Sequence, residues 1–126
     1  MSILDKETLE RFYDEVCDKE IDILVDIAGD CINETQSLAK QIQTSFTVKD
    51  WELFNRSAHS MKSTSRALGG IEVSKHAERM EHDSANFRTA DFNANLLTEP
   101  VSELNRHVNA FVQELRNEVA KYGGKL

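Results

Sequence analysis

Apolar residues recur at alternating steps of three and four along most of this chain, the spacing that lines one face of an α-helix. Five stretches carry it. The first is short, with Leu9, Phe12, Tyr13 and Val16 on its stripe and Asp5 placed to cap its N-terminus. The second is long, with Ile21, Leu24, Ala28, Cys31, Thr35, Leu38 and Ile42 on one face. No glycine or proline divides these two, so their junction is expected near Cys17 to Lys19.

Thr47-Val-Lys-Asp50 fits a capping box opening the third helix, with Phe46 and Trp51 as the flanking apolar pair. The stripe that follows is Trp51, Phe54, Ala58, Met61, Ser65 and Leu68, and Gly69-Gly70 offers the stop. A fourth helix carries Val73, Ala77, Met80 and Phe87 and ends before the polar stretch Thr89 to Asn95. The fifth carries Leu97, Val101, Leu104, Val108, Phe111, Leu115 and Val119. Proline is tolerated only near a helix start, so Pro100 puts the cap at Thr98 and leaves Asn93 to Leu97 as a separate turn. Four substantial stripes with short connections pack most simply as an up-and-down four-helix bundle, with the short first helix laid across one end. The expected fold is all-α, one domain over residues 1–126, with no internal repeat.

Composition agrees with this reading. Among 126 residues there are five glycines and one proline, with 40% hydrophobic and 29% charged residues, which suits long helices and argues against disorder. No apolar run approaches the ~18 residues of a membrane span, and Met1-Ser-Ile-Leu-Asp-Lys-Glu lacks a secretory pattern, so a cytoplasmic protein away from membranes is expected. Cys17 and Cys31 have neither CxxC spacing nor a nearby histidine to complete a zinc set, and read as reduced thiols.

A net charge of −7 opposes binding to nucleic acid, whose phosphates would be repelled. The charge is unevenly placed. From Leu53 to Ile71 there is no acidic residue, and Arg56, Lys62 and Arg66 give +3 against −10 for the remainder. Asp18, Asp22, Asp26, Asp30 and Glu34 follow one another at intervals of four; that row winds around the second helix and reads as a solvated face.

At 100° per residue, His59 lies about 130° from the centre of its helix's apolar stripe and should face solvent. Asn55 and Arg56 fall one turn earlier on that side, Lys62 and Ser63 one turn later, and Arg66 two turns on. From geometry alone an ordinary surface histidine accounts for this. Chemistry adds a second account: a neutral imidazole is nucleophilic near neutral pH, and phosphoryl transfer is catalysed chiefly by alignment and by cations around the equatorial oxygens. No GxxxxGK[ST] or GxGxxG loop is present to bind ATP, so a phosphoryl group would have to come from another protein.

The segment His59-Ser-Met-Lys-Ser-Thr-Ser-Arg-Ala-Leu-Gly69 resembles the signature of the histidine phosphotransfer (HPt) domain family: histidine, lysine three residues on, a small residue, then Leu-Gly. The resemblance extends through Val73, Ala77, Glu78, Arg79 and Met80, and back to Asp50-Trp51 and Ala58. It implies a phosphoryl carrier of a two-component phosphorelay rather than an enzyme. His59 would take the group from a receiver-domain phosphoaspartate as a phosphohistidine and hand it to a second receiver. Lys62 would stabilise the phosphoryl charge beside Ser63, with Asn55, Arg56, Arg66 and Gly69 supporting the receiver-facing side. The implied partners are response-regulator receivers, including that of a hybrid histidine kinase. The chain itself is expected to be a monomer with no cofactor and no metal, magnesium residing on the receiver. Ser63 stands where the family most often has glycine, and Ala77 where cysteine is frequent.

The other histidines are poorer candidates. His82 lies between Glu81 and Asp83, which repel phosphate; His76 borders an apolar stripe; His107 has only Arg106 beside it. A di-iron bundle is excluded because the Glu-x-x-His pairs are absent. The rival from another class is a degenerate bundle that binds a partner without transferring phosphate, for which both His59 and Lys62 would be superfluous.

Overall fold

A computed structural model describes residues 4–126. Five α-helices appear: α1 (Lys6–Glu15), α2 (Ile21–Val48), α3 (Trp51–Arg66), α4 (Ile71–Ser84) and α5 (Thr98–Lys121), with a 3₁₀ turn over Ala94–Leu97. Helices α2 to α5 run alternately up and down, and each packs on its chain neighbour while α5 closes the ring against α2. This is the expected four-helix bundle. The predicted stripes meet inside it: Leu24, Ala28, Ile42, Phe54, Ala58, Met61, Val73, Ala77, Met80, Leu104, Phe111, Leu115 and Val119 are all fully buried.

Helix α1 closes the end formed by the α3–α4 turn and the C-terminus of α5. Its N-cap is Asp5, whose carboxylate accepts from the Glu7 amide and the Thr8 hydroxyl. Lys6 and Lys121 pair with the carboxylate of Glu118 on α5 at 3.3 and 2.7 Å, and Tyr13 packs on Tyr122 with ring centroids 4.5 Å apart. Only Leu9 of the helix is buried; Val16, placed on the stripe by spacing, is exposed because the helix ends before it and Cys17 enters the core instead. The junction falls where expected, through Asp18 and Lys19 in positive-φ conformations.

Three boundaries differ from the periodic reading. Helix α2 continues through Thr47, whose hydroxyl donates to the Gln43 carbonyl of its own helix at 3.0 Å, so the cap of α3 is Asp50, accepting from the Leu53 amide at 3.1 Å. Phe46 and Trp51 still meet, rings edge-on at 5.9 Å, but across a two-residue corner rather than a capping box. Helix α4 stops at Ser84, leaving Phe87 in the following turns. Helix α5 begins with Thr98 rather than being capped by it, since the preceding 3₁₀ turn runs straight in; Pro100 then occupies the first turn, where no intrahelical donor is needed.

The α3–α4 corner requires both its glycines. Gly69 has φ +90°, and a Cβ there would lie 2.5 Å from the Asp5 carbonyl. Asp5 in turn donates its amide to the Gly69 carbonyl at 2.7 Å, which ties the N-terminal segment to the corner. At Gly70 a Cβ would sit 2.8 Å from the Phe111 ring. The two cysteines are free and buried, and burial pushes the Cys31 thiol up to about 11, consistent with an inert core thiol. No helix among the described residues is long and apolar enough to cross a membrane.

Candidate functional site

His59 lies in the middle of α3 with 63% of its side chain exposed, as its angle to the stripe predicts. Lys62 follows one turn later, more covered at 27%. What joins them comes from the next helix. Glu81 of α4 bonds through Oε2 to Nδ1 of His59 and accepts from Nζ of Lys62 through Oε1 at 2.7 Å. A carboxylate of this kind only accepts, so Nδ1 donates in this bond, and a neutral ring that makes it has its lone pair on Nε2.

Burial tends to raise the Glu81 carboxyl, but hydrogen bonds from Lys62 and His59 outweigh it and hold the group below the ordinary carboxylate range. It is an anion at neutral pH. The basic island read along the chain is therefore partly neutralised in space, with Lys62 already paired.

Glu81 entered the sequence reading only as a neighbour that disfavours His82. A signal for it was present: an antiparallel helical hairpin folded at Gly70 brings together residues equidistant from the turn, and His59 and Glu81 each lie eleven positions from Gly70. Two further straps hold this register. Asn55 Nδ2 donates to the Glu81 carbonyl at 2.9 Å and to Ser84 Oγ at 3.0 Å, while Ser74 Oγ donates to the Lys62 carbonyl at 3.0 Å.

The remaining expected residues divide by position. Ser63 is exposed, and its hydroxyl donates to the Ser60 carbonyl at 3.3 Å within α3. Arg56 and Arg66 are exposed and make no ion pair among the described residues, which leaves both available to an incoming anion. Asn55 is half-buried and serves α4 rather than open solvent. Gly69 is not brought to the histidine; it lies three residues past the end of α3, where it shapes the corner and seats Asp5. His82 is exposed beside Asp83 at 3.3 Å, and His76 and His107 stack on each other between α4 and α5. Among the described residues no group of three or more His, Cys, Asp or Glu is placed to hold a metal ion.

A comparison with protein-family models matches the Hpt domain over residues 26–121, three quarters of the chain. The chain belongs to the Hpt domain family. The match begins within α2 and ends at the last residue of α5, so it takes in most of the bundle and leaves α1 outside. No curated protein and no solved structure matches the chain. Hpt domains serve histidine phosphotransfer in phosphorelays, as phosphoryl carriers that meet the receiver domains of two-component systems. An exposed imidazole with one nitrogen held and the other open is the arrangement such a carrier needs.

Proposed function

We propose that this Hpt protein accepts a phosphoryl group on His59 Nε2 from the phosphoaspartate of one receiver domain and passes it to the aspartate of another. One observation carries this reading: the ring is exposed, its Nδ1 is committed to Glu81, and no hydrogen bond engages Nε2 among the described residues. The nucleophile is thus oriented before any partner arrives, and alignment is a large part of what phosphoryl transfer requires. Lys62, one turn on, shares Glu81 with the ring; turning its ammonium from Glu81 toward the incoming group would place positive charge on the equatorial oxygens. Arg56 and Arg66 supply further positive charge along the same exposed side.

The magnesium ion and the acidic pocket of such a reaction belong to the receiver. This chain contributes nucleophile, cations and a surface on which the receiver of a hybrid kinase or of a response regulator docks. Ser63 borders that surface one turn after His59, and its small size leaves room for the receiver's loops.

Incubation with a phosphorylated receiver, followed by assay of this protein for acid-labile, base-stable phosphate, tests the reading. Label is expected on the native chain and none on His59→Gln. A chain that binds the receiver and gains no label would instead be the partner-binding bundle.

A further inference from the structure

Helices α2 and α5 meet over small side chains. Ala39 and Val108, both buried, floor a groove of about 620 Å³ that opens between the two helices away from their ends. Its walls are almost uncharged. Gln36, Lys40 and Thr44 follow one another along α2 at intervals of four, and Asn105 and Asn109 face them from α5. Gln43 reaches across one end, its Nε2 donating to the Val101 carbonyl at 3.1 Å. Amides on other faces are engaged: Asn55 with α4, Gln41 with Ser57, and Gln113 with Asn117. The side chains of Gln36, Lys40, Thr44, Asn105 and Asn109 make no hydrogen bond or ion pair among the described residues.

We propose that this groove binds an extended segment of a partner protein by its main chain, with an acidic side chain of that segment on Lys40. The lining selects the class of ligand. An amide side chain both donates and accepts, as a peptide bond does, so an array of free amides complements a polypeptide backbone. The spacing fits as well. Four residues of helix rise about 6 Å, close to the ~6.7 Å at which an extended chain repeats a main-chain group on one side. Gln36 to Thr44 covers about 12 Å, which seats about four extended residues. Other ligand classes lack what they need there. No aromatic side chain lines the groove to stack on a base, no carboxylate or imidazole to hold a metal ion, and no free backbone amide of a helix start to hold a phosphate.

Charge assigns the acidic position. The acidic row of α2 ends at Glu34, and from Gln36 to Val48 the single charged residue is Lys40, exposed and unpaired among the described residues. An acidic side chain opposite it is attracted and a basic one repelled. The groove also lies apart from the transfer site. In the ring of four helices the α2–α5 side is opposite the α3–α4 side, on which His59 bonds to Glu81. A segment held here leaves His59 open, and a receiver tethered to that segment would meet the histidine at raised effective concentration. The binding itself does not depend on the chemistry of His59.

The test titrates the peptide acetyl-Ser-Ala-Glu-Ala-Ser-amide into the ¹⁵N-labelled whole chain. Saturable NMR shifts are expected on the side-chain amides of Gln36, Asn105 and Asn109 and on the backbone of Ala39 and Val108. Asn105 and Asn109 are exposed and alanine favours helix, so their double alanine variant should keep its circular dichroism and lose affinity by roughly tenfold or more. The same peptide N-methylated at both alanines should lose about as much, because it can no longer donate. Lys40→Gln, and separately a peptide with lysine for glutamate, should each weaken binding severalfold, and His59→Gln should bind as the native chain does. Absence of saturable shifts would overturn the proposal, as would equal binding of the N-methylated peptide. Shifts reproduced by acetate alone would make the groove a simple anion site, and shifts that follow protein concentration without peptide would make it a contact between two copies; either overturns it. Shifts centred on α3 and α4, or lost in His59→Gln, would place the peptide on the transfer face instead.

Discussion

Two faces of α4 present histidine and carboxylate together, and they are built for opposite ends. Toward α3, His59 is exposed, its Nδ1 held by Glu81 and its Nε2 open. Toward α5, His76 is half-buried, its Nε2 donates to the Pro100 carbonyl, and its ring lies 4.6 Å from that of His107, which sits 3.6 Å from Glu103. Burial pushes His76 below the ordinary histidine range; the His107 ring and Arg79 push the same way, while the Pro100 carbonyl and Glu103 oppose them. The first imidazole is oriented and left available. The second is used up in joining two helices. A carboxylate nearby does not make a histidine a phosphate carrier; which nitrogen it holds, and whether the other is free and accessible, decides.

The sharpest way to break this contrast is to exchange the roles by mutation. His59→Gln is expected to abolish acid-labile labelling completely while the far-ultraviolet circular dichroism stays native, since the side chain is exposed and glutamine favours helix. His76→Gln and His107→Gln should retain the label. Label on His59→Gln, or its loss from His76→Gln in a folded protein, would erase the distinction.

Almost as large an effect is expected from bulk on the transfer face. Ser63→Leu should block transfer by filling space the partner needs, whereas Ser63→Gly should preserve it at a helix cost of about 0.5 kcal/mol, measured by urea denaturation. The Ser63 hydroxyl already donates to the Ser60 carbonyl, so its size is expected to matter more than its hydrogen bonding. A Leu variant that transfers normally in single-turnover assays would sink that account.

Smaller again is the loss expected for Lys62→Ala, roughly tenfold to a hundredfold in transfer rate with little change in receiver affinity, because a cation is most useful where charge reorganises. Part of the ammonium's attraction is already committed to Glu81 in the resting protein. Equal losses in rate and affinity would make Lys62 a docking residue instead.

The smallest effect belongs to the other face and concerns pH. His76 has a folded value below its unfolded one, so between the two the unfolded chain binds more protons and stability rises with pH. This contribution is complete above the unfolded value of ~6.5 and is lost as pH falls from there toward the depressed folded value. Urea midpoints measured from pH 7.5 to 5 should decline less steeply in His76→Gln than in the native protein. Parallel slopes would show that the pair between α4 and α5 is indifferent to protonation.

Much of this molecule is legible along the chain, and the reason is local. Amphipathic spacing is a property of one helix at a time, so the buried stripes, the outward angle of His59 and the companion positions Lys62, Ser63 and Arg66 all follow from a period of 3.6 residues. The Gly69-Gly70 corner is likewise legible, because few residues other than glycine tolerate φ +90° or the approach of the Phe111 ring. Caps were less so. Thr47 and Asp50 compete for one helix start, and the backbone of α2, continued by the burial of Ser45, settles in favour of Asp50.

The pairing of helices was decided only in three dimensions. Glu81, twenty-two residues from His59 and flanked by His82 and Asp83, looks like part of an acidic surface until α4 folds back on α3 and the carboxylate meets the imidazole and the ammonium together. Asn55 likewise reads as an exposed companion of His59, yet it spends its amide on a carbonyl near the end of α4 across the interface. Sequence period determines which side of a helix a residue occupies. The register between helices, and with it which nitrogen of His59 stays free, depends on how two buried surfaces interlock.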